Sequence, residues 1–228
     1  ILEDEDATGG NFLSMSGSVY IFERPAIGPE QSIDIAFHHD TFANSGDPYS
    51  DGSVTAAATA GHIYSDTSTG KYTWGSLDSA STASNQTTYT WTPANSLTNV
   101  DILMVAGGGG GGGNHHGGGG GGGGLIYNSG VSLSGQKTIV VGNGGLGGTT
   151  NSSSSTYIGQ NTAFTGLTTV IGGGQGGGDG YVGGPGGSGG GGSGNQTKAG
   201  GSSTSGQGYN GGYGHGSSGY RGGGGGGG

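Results

Sequence analysis

The sequence contains no cysteine and only five lysine and arginine residues among its 228 positions. Without cysteine, neither a disulfide framework nor a thiolate metal site is available. The net charge of −9 argues against binding to nucleic acid or to an anionic membrane, both of which require clustered lysine and arginine. The longest apolar run, residues 100–106, has the length of a strand, so we expect no membrane insertion.

Apolar side chains are also scarce, at 28% of the sequence, whereas glycine supplies 65 residues. Only nine glycines lie in residues 1–106, and the other 56 lie in residues 107–228. Charge divides at the same place: the first region has a net charge of −11 and the second of +2. We therefore expect an acidic domain over 1–106 and a glycine-rich domain over 107–228, with 87 as the alternative start of the second.

The acidic region has the pattern of an all-β domain. Short segments rich in β-branched and aromatic residues alternate with clusters of turn-forming residues, and no amphipathic helix is evident. A small sandwich or jelly-roll-like domain is the expected fold. The predicted strands cover residues 16–25, 32–39, 70–77 and 87–93.

The glycine-rich region contains further predicted strands between its glycine runs. Residues 125–133 and 136–141 are typical of a β-hairpin with a turn at Ser134–Gly135, and residues 161–174 of a shorter pair. Apolar strands end repeatedly at the entrance of a glycine run, as in "NVDILMVAGGG" and "LTTVIGGGQGGG". A disordered tail has no reason to keep this arrangement, so we expect an ordered domain.

The glycines show a period of three. Every third residue from Gly174 to Gly192 is glycine, and the same holds from Gly216 to Gly228. A polyproline-II-type helix has three residues per turn and no internal hydrogen bonds, so its N–H and C=O groups must find partners on neighbouring segments. Glycine lets such segments approach closely enough to bond. The period therefore predicts packed polyglycine II helices with short β-hairpins between them.

The order of these elements resembles a known family. "VAGGGGGGG", "GGLIYNSGVSLSGQKTIVVGNGGLGG" and "LTTVIGGGQGGG" follow one another, and residues 87–228 are similar to the glycine-rich domain of viral and phage fibre proteins, including tail-tip adhesins of T-even-like phages. The resemblance implies a rigid polyglycine II sandwich whose distal loops touch a host receptor. It thus implies an extracellular or virion-surface fibre protein that is no enzyme and that contacts a host cell-surface protein or glycan.

Residues 1–106 match no attachment domain of those adhesins, so other functions stay open. We expect this region to mediate self-association or contacts with other fibre or virion proteins. One alternative function is a structural subunit of an extracellular filament or capsid surface without a receptor of its own. Another is an ice-binding or matrix glycine-rich protein, although no persistent ladder of threonine or serine is present.

Two clusters are candidates for surface or receptor contacts. Asn114, His115 and His116 interrupt the longest glycine stretch, where they predict a polar turn between two helices that is either a plain turn or a contact site. The second cluster either makes contacts or packs the glycine-rich domain against the β domain. It consists of Tyr209, Tyr213, Tyr220 and Arg221.

Other chemistry finds little support in the sequence. The histidines form no HExxH motif, so we expect no metal site, cofactor or catalytic activity. Three glycosylation sequons lie in polar connecting stretches and would be accessible on a eukaryotic secretory route. They begin at Asn85, Asn151 and Asn195.

Overall fold

A computed structural model describes residues 17–23, 34–38, 75–83, 86–93, 96–113, 115–148, 157–216, 219 and 221–228. In this part of the chain the regular elements are β-strands, and α-helices are absent. The all-β prediction is therefore confirmed for these residues. The strands are β1 Ser18–Glu23, β2 Asp34–His38, β3 Gly75–Ala83, β4 Gln86–Pro93, β5 Leu97–Val105, β6 Leu125–Leu133, β7 Lys137–Gly142 and β8 Ala163–Phe164.

The strands form two antiparallel sheets of four strands, in the orders β2-β1-β5-β6 and β3-β4-β7-β8. Pairing crosses Ala106 in both: β5 pairs with β6, and β4 pairs with β7 with Tyr89 opposite Ile139. Both sheets thus contain strands from either side of the predicted boundary, and the division of the chain there into two domains stays a prediction.

One cluster of buried apolar side chains draws on both sheets. In β4 burial alternates strictly, so that Tyr89 and Trp91 point inward while Thr90 between them is half-buried. Burial of one such large side chain contributes about 1.5–3 kcal/mol. The cluster also contains Val19, Ile21, Val100, Ile102, Met104, Ala106, Leu133, Ile139, Val141, Phe164 and Val170.

The predicted strands are found where the structure describes them. β1, β2 and β4 lie within or overlap residues 16–25, 32–39 and 87–93. The prediction for 70–77 is met only from Gly75 onward, because residues 70–74 lie outside the described part. The short pair predicted in 161–174 is present as an antiparallel bridge between Thr162 and Val170.

The predicted hairpin of residues 125–133 and 136–141 is wrong, although both strands exist. β6 and β7 belong to different sheets and do not pair with each other. The link between them contains Gly135 at a φ of 64°, and it carries the chain from one sheet to the other. The partner of β6 is β5 because the glycine runs between these strands fold back on themselves and return the chain to its starting point.

Extended glycine segments hydrogen-bond to one another through their backbones with a period of three. Residues 106–113 and 117–124 run side by side beyond β5 and β6, so their bonds continue the ladder of that strand pair. A second row on the first segment bonds to residues 157–160. In the first row, the N–H groups of Ala106, Gly109 and Gly112 donate to the carbonyls of Gly124, Gly121 and Gly118 at 3.0, 2.8 and 2.8 Å. In the second row, the N–H groups of Gly107 and Gly110 donate to the carbonyls of Gln160 and Tyr157 at 3.0 and 2.7 Å.

Residues 187–193 lie at the centre of this network. This segment bonds to six others, which comprise residues 117–124, 171–178, 181–186, 198–204, 208–214 and 221–228. A segment enclosed on every side leaves little room for side chains: its only non-glycine residues are Ser188 and Ser193, and a Cβ on Gly191 would come 2.0 Å from the carbonyl oxygen of Gly223. Glycine is therefore required here at more positions than every third one.

A few buried polar side chains pin the network. Gln207 is 7% exposed, its Oε1 accepts from the N–H of Ile171 at 2.7 Å, and its Nε2 donates to the carbonyl of Thr169 at 3.1 Å. The hydroxyl of Ser188 donates to the carbonyl of Gly227 at 2.9 Å. Ordering a residue costs about 1–2 kcal/mol of backbone entropy, and one hydrogen bond returns about 0.5–1.5 kcal/mol net. The hydrogen bonds of these buried side chains therefore add a significant contribution to the stability that the backbone bonds provide.

Candidate functional site: the distal turns

The glycine segments carry a set of turns to the end of the molecule that is farthest from the sheets. Residues 106–113 leave β5, turn at His115 and His116, and return as 117–124 to β6. Residues 171–178 run beside them, with the N–H of Gly118 donating to the carbonyl of Gly177 at 2.8 Å, so the turn at Asp179 and Gly180 lies at the same end.

Two further turns join this end. Residues 187–193 lead into a turn at 194–197, and residues 208–214 lead toward 221–228 through an antiparallel bridge between His215 and Arg221. We call the described residues 115–116, 179–180, 194–197, 215–216, 219 and 221 the distal turns. The predicted turn at His115 and His116 is thus confirmed, whereas Asn114 lies outside the described residues.

A hydrogen bond between side chains connects two of the distal turns. His116 Nδ1 lies 3.1 Å from Asp179 Oδ1, both side chains being half-buried. The hydrogen bond from His116 and a second one from Asn195 lower the pKa of Asp179 from its ordinary value of 3.8. The backbone takes part as well, since the N–H of Gly194 donates to the carbonyl of His116 at 2.8 Å. Three turns therefore meet around one carboxylate.

The buried Ser193 links two of the same turns through hydrogen bonds to their backbones. Its fully buried hydroxyl oxygen accepts from the N–H of Gly180 at 3.0 Å and from that of Asn195 at 3.1 Å. The next residues are in left-handed conformations, Gln196 at a φ of 64° and Thr197 at 50°. Such conformations cost non-glycine residues of order 1–3 kcal/mol, so the surrounding bonds must stabilise this turn.

The last turn is attached to its neighbour through Thr197. The N–H of Gly216 donates to Thr197 Oγ1 at 3.0 Å, and the N–H of Gly214 donates to the carbonyl of Lys198 at 2.9 Å. The distal turns thus form one connected surface. Its backbone is fixed by hydrogen bonds, while His115 and Arg221 are exposed.

The aromatic candidates separate along one glycine segment. Tyr213 is 74% exposed and stands next to the distal turns, whereas Tyr209 is 72% exposed but lies toward the sheets, where its N–H donates to the carbonyl of Gly227 at 3.0 Å. Both side chains point to solvent and away from the packed core. Tyr220 lies outside the described residues. The distal surface also exposes Tyr181 and Val182, which the sequence analysis did not select.

Sequence reasoning missed the residues that fix the surface, which are Asp179 and Ser193. One signal was available for the first, because Asp179 is the only acidic residue in 107–228. Nothing in the sequence distinguishes Ser193 from neighbouring serines. Among the sequons, only Asn195 is described, and its side chain bonds to Asp179, while Asn85 and Asn151 lie outside the described part.

The described residues contain no group of three or more histidine, cysteine and acidic side chains that could hold a metal ion. In the same part of the chain, no helix is long and apolar enough to cross a membrane.

The model of the glycine-rich domain family matches residues 82–228, well over half of the chain, and the chain belongs to this family. The match begins at the end of β3 and includes the pairings of β4 with β7 and of β5 with β6, together with all the distal turns. No curated protein and no solved structure is significantly similar to the chain.

Proposed function

We propose that this glycine-rich domain protein is a non-enzymatic fibre protein of a virion surface or of the extracellular space. In this proposal the glycine segments are polyglycine II helices packed into a sandwich, and the distal turns attach the fibre to a host cell-surface protein or glycan. Residues 1–106 connect the scaffold to an assembly, through self-association or through other fibre or virion proteins.

The helix type is supported by the hydrogen-bond pattern. Bonds that repeat every third residue, go to different neighbours and never stay within one segment are typical of polyglycine II packing and not of a β-sheet, where the repeat is two. Hydrogen exchange of the whole protein tests the packing of these segments. The backbone amides of residues 171–178 and 187–193 are expected to be protected from exchange. Fast exchange of these amides would exclude the packed scaffold.

The observation that carries the attachment role is the distal surface. Hydrogen bonds of backbone and side chains fix the turn backbones, including two residues in a costly left-handed conformation. Yet Tyr213 and Arg221 are exposed to solvent, and so is His115, whose ring lies beside that of His116. A rigid frame that presents exposed aromatic and basic side chains suits recognition, because ordering entropy is already lost before binding.

The test compares two tyrosines of nearly equal exposure on one segment. Fluorescently labelled full-length chain is incubated with a panel of microbial and cultured eukaryotic cells to find one that it binds. On that cell, Tyr213→Ala combined with His115→Ala is expected to reduce affinity about tenfold or more, the loss typical of an aromatic anchor. Tyr209→Ala is the matched control and should bind as the wild type does.

Two results would contradict attachment through the distal turns. One is equal loss with Tyr209→Ala, which would move the contact toward the sheets. The other is absence of binding to every cell tested, which would favour a structural subunit of a filament or capsid surface, or a matrix or ice-binding protein, in place of an adhesin.

A further inference from the structure

The distal turns and the residues that border them differ from the rest of the chain in charge. Lys198 and Arg221, two of the three lysine and arginine residues of 107–228, lie there, against a single acid, Asp179. The chain as a whole has a net charge of −9, and thirteen of its fourteen acids lie in residues 1–106. The distal turns thus carry two cations and one acid, whereas the sequence as a whole is strongly acidic.

The carboxylate of Asp179 is engaged by its neighbours within the turns. Its carboxylate is occupied by His116 at 3.1 Å and by the Asn195 side chain, and these bonds keep it half-buried. Asp179 is the one acid of these turns, and its carboxylate is already hydrogen-bonded. A negatively charged ligand would therefore meet no second carboxylate there. Arg221 is exposed, and its planar guanidinium suits a carboxylate or sulfate group.

Exposed tyrosines border the basic side chains. The carbonyl of Tyr181 accepts from the N–H of Ser193 at 3.0 Å, which places Tyr181 beside the turn at 194–197. Tyr213 directly precedes Gly214, whose N–H donates to the carbonyl of Lys198. Aromatic rings with an apolar face and a polar hydroxyl suit ligands that are themselves mixed in polarity, such as sugars.

The number of charges discriminates between classes of anionic partner. Binding to an anionic membrane generally needs four or more lysine and arginine residues in one cluster, and the distal surface has two. Nucleic acid likewise requires several phosphate contacts. A linear polysaccharide with a regularly spaced acidic group needs only a few cations at intervals, with neutral sugar rings between them.

Building on the proposed attachment role, we infer that the distal turns bind an acidic polysaccharide. Its carboxylate or sulfate groups pair with Arg221 and Lys198, and its sugar rings lie against Tyr213 and Tyr181. The rigid turn at 194–197 sets the spacing between the two cations, since Lys198 follows it directly and Thr197 anchors Gly216 near Arg221.

The experiment uses the full chain and immobilised polysaccharides as probes. Heparin and polygalacturonate represent sulfate and carboxylate groups, and dextran is the neutral control. We expect binding to at least one acidic probe but not to dextran, with affinity falling as salt screens the charges. Removing the exposed cation Arg221 and the half-buried cation Lys198 in K198Q/R221Q should weaken binding about three- to tenfold.

K137Q is the matched control, because it removes one cation from β7, at the opposite end of the glycine segments. It is expected to bind as the wild type does, and equal melting temperatures of the variants would show that folding is intact. Binding that is equal for acidic and neutral probes, or a loss with K137Q as large as with K198Q/R221Q, would overturn the inference.

The outcome separates this inference from the attachment role itself. A protein that binds cells through Tyr213 but ignores both acidic probes would refute the polysaccharide ligand and leave attachment intact. A protein that binds the acidic probes with K198Q/R221Q unimpaired would also refute it, since the cations would then lie elsewhere. Failure to bind either cells or probes would refute both proposals.

Discussion

Gly173 lies against Gly121 so closely that no side chain fits between them. A Cβ on Gly173 would come 2.2 Å from the carbonyl oxygen of Gly121 and 2.6 Å from the nitrogen of Gly109. These are backbone atoms of two other segments, which cannot move aside as a flexible side chain would. The glycine content of this interior is thus a steric requirement of close backbone packing. The opposite holds at Gly224 and Gly227, where an added Cβ would meet nothing within 4 Å.

The first prediction follows from that contrast. Gly173→Ala should lower the free energy of unfolding by about 1–3 kcal/mol or more, since overpacking forces neighbouring segments apart. Gly224→Ala should leave stability unchanged or raise it by about 0.4–1 kcal/mol, because alanine restricts the unfolded chain. Chemical denaturation of both variants measures the difference. Equal destabilisation by the two substitutions would show that the segments do not pack as described.

The second prediction concerns two buried glutamines. Gln207 and Gln175 are 7% and 8% exposed, but Oε1 of Gln207 accepts a bond, whereas Oε1 of Gln175 has no partner among the described residues. Gln207→Leu leaves the N–H of Ile171 unpaired, so we expect a loss of about 1–3 kcal/mol. Gln175→Leu, the matched control, should cost less or stabilise the fold. Thermal unfolding of both variants measures the two losses. A larger loss of stability with Gln175→Leu than with Gln207→Leu would contradict the prediction.

The third prediction is a pH dependence at the distal turns. The pKa of Asp179 is lowered in the folded state, chiefly by the bond from His116, so the ionised carboxylate stabilises the turns above the ordinary value of 3.8. This stabilisation is lost as the pH falls through the lowered pKa. Amide exchange at Gly180 and Gly194, corrected for intrinsic rates, should therefore accelerate in that acidic range. Asp179→Asn should abolish the pH dependence, and its persistence in that variant would assign it to another group.

Local pattern was sufficient for the strands but not for their partners. Aromatic residues that alternate with threonines mark β4 clearly, since side-chain period reports only the local conformation. Pairing of β6 with β5 depends on where the glycine runs turn back, and a glycine carries no side chain that reports its neighbours. The short Ser134–Gln136 link therefore suggested a hairpin, although it connects two sheets.

The distal turns were predictable only in part. His115 and His116 stand out because they interrupt glycine, and a break in a run of one residue type is visible in a single sequence. Asp179 and Ser193 are 63 and 77 positions away from His116 along the chain, and their contacts depend on the stacking order of the segments. The period of three suggested that segments bond to each other, yet a period cannot specify which segments are adjacent.

The fourth prediction concerns how the sheets and the glycine segments depend on each other. The ladder of β5 and β6 continues past Val105 and Leu125 into the glycine segments, where the N–H of Ala106 donates to the carbonyl of Gly124 at 3.0 Å. A glycine segment loses more entropy on ordering than any other sequence, and it has no side chains to bury in return. We therefore expect the sheets to nucleate the segments, so that both unfold in one transition.

Ile102→Ala tests this coupling, because Ile102 is fully buried in β5 and its truncation should cost about 2–5 kcal/mol. Hydrogen exchange under mild denaturant should then show peptides of 106–124 losing protection together with those of β5 and β6. Leu146→Ala, at a side chain that is 68% exposed, is the control and should leave exchange unchanged. Glycine segments that stay protected while the sheets exchange would contradict this prediction. Backbone packing alone would then stabilise the glycine segments without the sheets.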